Sequence, residues 1–215
     1  DRLRQLAPFL GLASLEHRTG WPLPSDKVRQ AAQLVHFNKP RPEEWLIGVD
    51  PGADRSGRAV ALENLEFVVS QLRSQVPCRV LPLSSPGQEE RLQTFESRLT
   101  SPVPPAFNRD TLLETLLLLG QCNLFLGGNT DLLHAAVGLR VPSVGLFGAH
   151  VEACWRPAGP RCAVLPVARG EKLDIATLMD TVQEVVGTEG AATSDERPAQ
   201  SGPAPGAGPL PAPGA

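Results

Sequence analysis

The stretch Asn123–Pro157, NLFLGGNTDLLHAAVGLRVPSVGLFGAHVEACWRP, decides how this chain folds. Its opening apolar run, Asn123–Leu126, stops at Gly127-Gly128, as a buried strand does. Asn129 and Thr130 are good N-cap residues, and Leu132, Leu133, Ala135 and Ala136 continue as a helix. Gly138 suits the end of that helix, and Pro142 lies beyond it. Ser143–Phe147 is the next apolar strand, cut off by Gly148. A Gly-rich turn that feeds a helix N-terminus leaves backbone N–H groups pointing outward. Those donors, with the helix dipole behind them, attract phosphate. His134 falls in the first two turns and adds a donor on the same side.

Working outward, the same alternation recurs. Trp45–Asp50 is a compact apolar strand that ends in the loop Pro51-Gly52-Ala53-Asp54-Arg55-Ser56-Gly57-Arg58. A helix follows over about Leu62–Gln75, with Leu65, Val68, Val69 and Leu72 at helical spacing. Arg79–Leu83 is the next strand, and a helix over about Gln88–Leu99 turns Leu92, Phe95 and Leu99 inward. Thr111 and Glu114 have capping-box spacing at the head of a strongly apolar helix carrying Leu112, Leu113, Leu116, Leu117 and Leu119, with Gly120 at its end. Cys162–Val167 reads as a strand, and Asp174 caps a last helix through Val186. Strands alternating with helices imply an α/β fold, a Rossmann-like parallel sheet with helices on both faces. Such sheets bind ligands beyond the carboxyl ends of their strands, and loops 51–58 and 127–131 both fall there.

With 41% hydrophobic residues, the 215-residue chain can build one good core. A net charge of −3 without a basic tract argues against nucleic acid as a partner. No apolar run approaches the roughly 20 residues of a membrane-spanning helix, so membrane contact is expected to be peripheral at most. Asp1 stands where a start Met would, and no signal peptide is visible, so the N-terminus reads as a cut end. Cys78, Cys122, Cys154 and Cys162 lack C-x-x-C spacing and read as buried, reduced thiols of a cytoplasmic protein. Asp1–Leu15 has the spacing of an amphipathic helix broken near Pro8. Ser25 can cap a helix to about Phe37 whose apolar face is Val28, Ala31, Ala32 and Val35. Residues 39–42 are a linker. From 188 onward the chain is Gly-, Pro- and Ala-rich, with nothing bulky to bury, and reads as a disordered tail.

The first loop nearly matches a Walker A motif through Gly52 and Gly57. Arg58-Ala59 replaces the Lys-Ser/Thr pair, and Ala59 has no hydroxyl for magnesium, which argues against a P-loop NTPase.

The stretch Asn129-Thr130-Asp131-Leu132-Leu133-His134, followed by Ala136, Leu139, Pro142, Val144, Leu146-Phe147-Gly148 and Pro157, resembles the donor-binding signature of glycosyltransferase family 9. These are the lipopolysaccharide heptosyltransferases and their relatives, with the pattern D-T-G-x-x-H-x-A-x-A-L-x-x-P-x-V-x-L-F-G. The resemblance implies the C-terminal, donor-binding half of a GT-B-type glycosyltransferase. Arg2–Gly11 is loosely similar to the segment that closes the family's N-terminal domain. Residues 1–44 would then be the end of that domain with its linker, 45–187 the nucleotide-sugar-binding domain and 188–215 the tail. The implied substrate is a nucleotide-diphospho-sugar such as ADP-heptose, with no metal or other cofactor. The sugar would pass to a lipopolysaccharide-type or other glycan or glycolipid acceptor at the cytosolic face of the inner membrane.

The resemblance also assigns residues. Gly52, Ala53 and Asp54 belong to the family's first diphosphate loop, and Arg58 stands where the family has Lys. Arg is a bidentate phosphate ligand that is always charged; the alternative is a solvated surface Arg. Val60-Ala61 replaces the family's Trp-Pro. Gly128, Asn129, Thr130, Asp131 and His134 form the second loop and should approach the diphosphate; for His134 the alternative is a satisfied helix histidine. Glu90 stands near an acidic residue that in the family contacts the ribose, and otherwise is a solvated first-turn carboxylate. Asn129 replaces the family Asp and loses its charge, and Asp131 replaces the family Gly and sets a carboxylate beside the diphosphate. The catalytic base, an Asp in the family, belongs to the N-terminal domain. This chain is therefore expected to bind donor without turning it over alone. The competing reading is a degenerate, non-catalytic copy retained for binding or assembly.

Overall fold

The computed structural model describes residues 22–38, 41, 43–52, 60–99, 103, 106–147, 157, 159–167 and 173–187. The helix read within 1–15, most of the 39–42 linker, Ala53, Asp54, Arg58, Gly148, Cys154 and the tail from 188 lie outside these residues. The elements are α1 (Ser25–Asn38), β1 (Trp45–Asp50), α2 (Leu62–Gln75), β2 (Cys78–Pro82), α3 (Glu89–Ser97) and α4 (Leu112–Leu119). There follow β3 (Leu124–Gly127), α5 (Asp131–Gly138), β4 (Ser143–Phe147), β5 (Cys162–Pro166) and α6 (Ile175–Gly187). The five strands form one sheet in the order β2-β1-β3-β4-β5, every pair parallel. The outer strands β2 and β5 both end in proline, Pro82 and Pro166.

Parallel strands covered on both faces read as continuous apolar runs, and the two core layers show why. Alternate residues of one strand go to opposite faces. Ile47 and Val49 of β1 pack with Leu65, Val68 and Leu72 of α2, Phe95 of α3 and Leu178, Val182 and Val185 of α6. Leu46 faces the other way, with Leu116, Leu118 and Leu119 of α4, Leu132, Leu133 and Ala136 of α5 and Val35 of α1. Each fully buried Leu or Phe in these layers is worth about 1.5–3 kcal/mol relative to exposure. Asn123, just before β3, donates its N–H to the Leu46 carbonyl at 2.8 Å, and its Oδ1 accepts the Leu46 N–H at 2.8 Å. That double bond pins the start of β3 to β1.

The ends of α4 and α6 follow the sequence, whereas Ser25, read as a cap, is the first helical residue of α1, with the Pro24 carbonyl accepting the Val28 N–H. Thr111 Oγ1 accepts the Glu114 N–H at 3.2 Å and Glu114 Oε2 accepts the Thr111 N–H at 3.1 Å, closing the capping box. Asp174 Oδ2 accepts the Thr177 N–H at 2.9 Å and caps α6. Gly138 is the last residue of α5, but the left-handed residue that stops the helix is Arg140, at φ 61°. The Val141 and Arg140 N–H groups donate to the Ala136 and Val137 carbonyls, a Schellman closure made without glycine.

Some inward-facing expectations fail. Ala32 of α1 is exposed; Ala31 and Val35 are buried and Val28 partly so. Leu112 and Leu113 are also exposed, since they sit on the first turn of α4, before it passes under the sheet. Cys122 is buried, Cys78 and Cys162 are half-buried, and none of the three is in a disulfide. Burial pushes Cys78 and Cys162 up to about 11, so both stay protonated near neutrality. Among the described residues, no helix is long and apolar enough to cross a membrane.

Candidate functional site

The strand order places β2 on one side of β1 and β3 on the other. The connections therefore depart in opposite directions between β1 and β3, opening a crevice at their carboxyl ends, the usual ligand position in such sheets. Asp50 of β1 and Gly127 of β3 are register partners at that end. Gly52, with φ 75°, turns the chain away from β1 as a side-chain-bearing residue rarely does. A Cβ there would lie 3.5 Å from the Thr130 Cγ2, so the two Gly-rich loops meet at this point.

From the second loop the structure brings together Gly128, Asn129, Thr130, Asp131 and His134. Gly128 is buried, Asn129 and Thr130 are half-buried, and Asp131 and His134 are exposed on the first turn of α5. Thr130 occupies the N-cap position, yet its side chain makes no capping bond; its carbonyl accepts the Leu133 N–H at 3.2 Å. Glu90 is exposed on the first turn of α3, where its carbonyl accepts the Thr94 hydroxyl at 2.9 Å. Ala53, Asp54 and Arg58 lie outside the described residues.

Two residues emerge that the sequence did not single out. Asp50, fully buried, accepts the Gly52 N–H on Oδ1 at 2.8 Å and so shapes the loop. Burial raises its carboxyl from 3.8 to about 6. The Thr130 hydroxyl, the Gly52 N–H and Arg91 pull the other way, and Asp131 adds to the rise. Thr130 is near enough to favour the charged form, but the pair closes no well-formed hydrogen bond, and both Asp50 Oδ2 and Thr130 Oγ1 are buried without a partner. An Asp-Pro-Gly after an apolar strand was the available signal, since Asp bonds the backbone N–H two residues on. Arg91 of α3 donates from Nε to the Pro51 carbonyl at 2.9 Å and from a terminal nitrogen to the Val60 carbonyl at 2.6 Å. It ties together residues on either side of positions 53–59. No local sequence signal points to a contact 31 and 40 residues away.

Among the described residues, the other buried side-chain atoms without a hydrogen bond are Ser85 Oγ, Gln88 Oε1 and Glu44 Oε2. Glu44 Oε2 pairs with Arg79 at 3.7 Å. Ser85 and Gln88 follow β2, so four of the five unbonded atoms lie at the carboxyl ends of three adjacent strands. Buried polar atoms left unpaired by the protein commonly face water or a ligand. The described residues contain no cluster of three or more His, Cys, Asp or Glu able to hold a metal. The crevice thus offers backbone N–H groups, a free hydroxyl and a histidine to an anion.

Solved structures share this fold. A family 9 glycosyltransferase from Veillonella parvula superposes with a TM-score of 0.61 at 15% identity, over 78% of this chain and 53% of that one. E. coli ADP-heptose lipopolysaccharide heptosyltransferase II gives 0.55 at 18%, over 78% and 51%. E. coli heptosyltransferase WaaC, solved with ADP, gives 0.55 at 18%, over 86% and 55%. The chain thus spans about half the length of these structures. No curated protein matches it significantly. The family model for glycosyltransferase family 9 (heptosyltransferase) matches residues 10–180, most of the chain, and the protein belongs to that family.

Proposed function

We propose that this chain is the donor-binding half of a family 9 glycosyltransferase, with residues 45–187 as the nucleotide-sugar domain. Residues 1–44 would lead in from the N-terminal domain and 188–215 would be a tail. The donor is a nucleotide-diphospho-sugar such as ADP-heptose, and the acceptor a lipopolysaccharide-type or other glycan at the cytosolic face of a membrane. The observation that carries this reading is the meeting of Gly52 and Thr130 at the β1/β3 crevice, over the start of α5. In such a transferase the leaving diphosphate needs donors aimed at its developing charge. Thr130, His134 and the first-turn N–H groups of α5 would supply them, with Arg58 on the first loop; Glu90 would approach the ribose. The base that deprotonates the acceptor would come from the N-terminal domain, so this chain alone is expected to bind donor without transferring sugar.

Calorimetric titration with ADP, UDP and GDP tests the reading. One nucleotide is expected to bind near micromolar, about −8 kcal/mol, and Arg58→Ala to remove that binding. Absence of binding by all three would sink it.

One observation favours a second reading, a copy that no longer transfers. Asp131 sets a carboxylate on the first turn of α5, where a diphosphate would be repelled. Under this reading nucleotide binds only after Asp131→Gly.

A further inference from the structure

Asp50 is the buried acid at the carboxyl end of β1. It is fully buried, its Oδ1 is committed to the Gly52 N–H, and its Oδ2 has no hydrogen bond. Thr130 Oγ1 is also buried and unbonded, and its hydroxyl is the side-chain group that acts on the Asp50 carboxyl. Thr130, the N-cap residue of α5, therefore adjoins the buried acid.

The direction of the hydrogen bond through Thr130 depends on that acid. An ionised carboxylate only accepts, so it draws the Thr130 O–H inward and leaves the hydroxyl no proton for a phosphate oxygen. It also sets a buried negative charge behind a dianionic diphosphate. A protonated Asp50 donates from Oδ2 to Thr130 Oγ1, which frees the Thr130 O–H to donate outward. Chained hydrogen bonds of this kind polarise and strengthen one another.

We propose that Asp50 is a positioning residue for the donor diphosphate: donor binds with uptake of one proton from solvent onto Asp50 Oδ2, and Thr130 relays the hydrogen bond to phosphate. The proposal rests on the reading of this crevice as the donor site. Burial already brings the Asp50 carboxyl to about 6, within reach of protonation near neutrality. Among the described residues, the charged groups facing it are Arg91 of α3, which favours the carboxylate, and Asp131 of α5, which favours the acid. His134 of α5 is exposed on the same turn, so its contribution must be separated.

The test titrates the full chain with ADP-glucose and UDP-glucose, whose phosphodiesters stay charged throughout, between about pH 5 and about pH 8. Calorimetry in buffers of different ionisation enthalpy counts the protons. The expected result, in a His134→Gln background, is uptake that peaks at about half a proton and binding about tenfold weaker at the alkaline end, both of which follow from a rise of about one unit in the acid on donor binding. Asp50→Asn should abolish both effects and bind at the alkaline end at least as well as the unsubstituted residue. Its amide N–H donates to Thr130 as the protonated acid would, and its oxygen still accepts from Gly52. Binding without proton uptake, or equal uptake with Asn at 50, overturns the proposal while the donor site stands. Failure of both sugar nucleotides to bind the unsubstituted chain at every pH overturns the donor site and this proposal together. If the Asn variant does not fold, the proton count of the His134→Gln chain decides.

Discussion

Asp50 and Gly127 are the last register pair of β1 and β3, and no side chain has room at 127 beside the buried acid. A Cβ on Gly127 would stand 2.9 Å from Phe125 Cε1 and 3.3 Å from the Asp50 Cβ. Phe125 is fully buried, so its ring cannot withdraw without disturbing the α4–α5 layer. Gly127→Ala is expected to cost about 1–3 kcal/mol through overpacking. Urea midpoints of the two proteins measure it, and an unchanged midpoint would show that this rung has slack.

Stability should respond to pH through Asp50. Its folded-state value of about 6 lies above the ordinary 3.8, so folding favours the protonated form. The stabilisation is fully present below about pH 4 and is lost as pH rises through about 6, amounting to about 3 kcal/mol. Asn at this position never ionises and avoids that loss. Glu63, Glu89 and Asp174, held low by hydrogen bonds at the surface, act in the opposite sense, losing stability as pH falls, and do so equally in both proteins. Melting midpoints of Asp50→Asn and the unsubstituted protein should diverge in favour of Asn as pH rises from about 4 to about 6.5. A constant gap across that range would contradict the assignment.

The parts of the fold readable from sequence are those set by local rules. Strand β4 at Ser143–Phe147, helix α2 at Leu62–Gln75 and the Thr111–Glu114 capping box depend on residues within a few positions of one another. The burial of α4 was only half legible. Its run of leucines has no polar face, so the pattern cannot show that Leu112 and Leu113 point outward while Leu116 to Leu119 point in. Arg140 shows another limit: a glycine near a helix end invites the left-handed assignment, yet Gly138 stays helical and Arg140 takes it. In the candidate site, Gly52, Gly128 and Thr130 were visible because turn chemistry advertises them. Asp50 looked like the polar end of an apolar strand. Nothing near Arg91 in the sequence marks its role, because the carbonyls it holds are 31 and 40 residues away.

Arg91 yields a prediction that separates loop positioning from global stability. A guanidinium spans the Pro51 and Val60 carbonyls from two different nitrogens; a lysine ammonium is a point donor and cannot reproduce that fork. Arg91→Lys and Arg91→Met are both expected to weaken sugar-nucleotide binding, by about tenfold, the loss of one charge-assisted bond's worth of loop order. Lysine should not rescue binding relative to methionine. Full rescue would mean that Arg91 acts by charge rather than by shape.

The capping box of α4 can be tested as a coupled pair. Thr111→Ala removes the acceptor for the Glu114 N–H and should cost about 1 kcal/mol. Glu114→Ala also gives up the 2.9 Å bond from Asn108 and should cost a similar amount. Because the two residues serve each other, the double variant should lose less than the sum of the singles. Additive losses by denaturant titration would show that the two bonds act independently.

The prolines that finish β2 and β5 bear on how this molecule meets its own kind. A parallel sheet stops growing only where something stops it, and an unprotected outer strand is a template for another chain. Pro82 and Pro166 have no N–H to offer, and both stand at the end of the sheet that carries the crevice. Lateral strand addition is thereby disfavoured at the rim where ligands would come and go. The opening between β1 and β3 can stay accessible in a crowded cell while the sheet's borders resist fibril-like stacking.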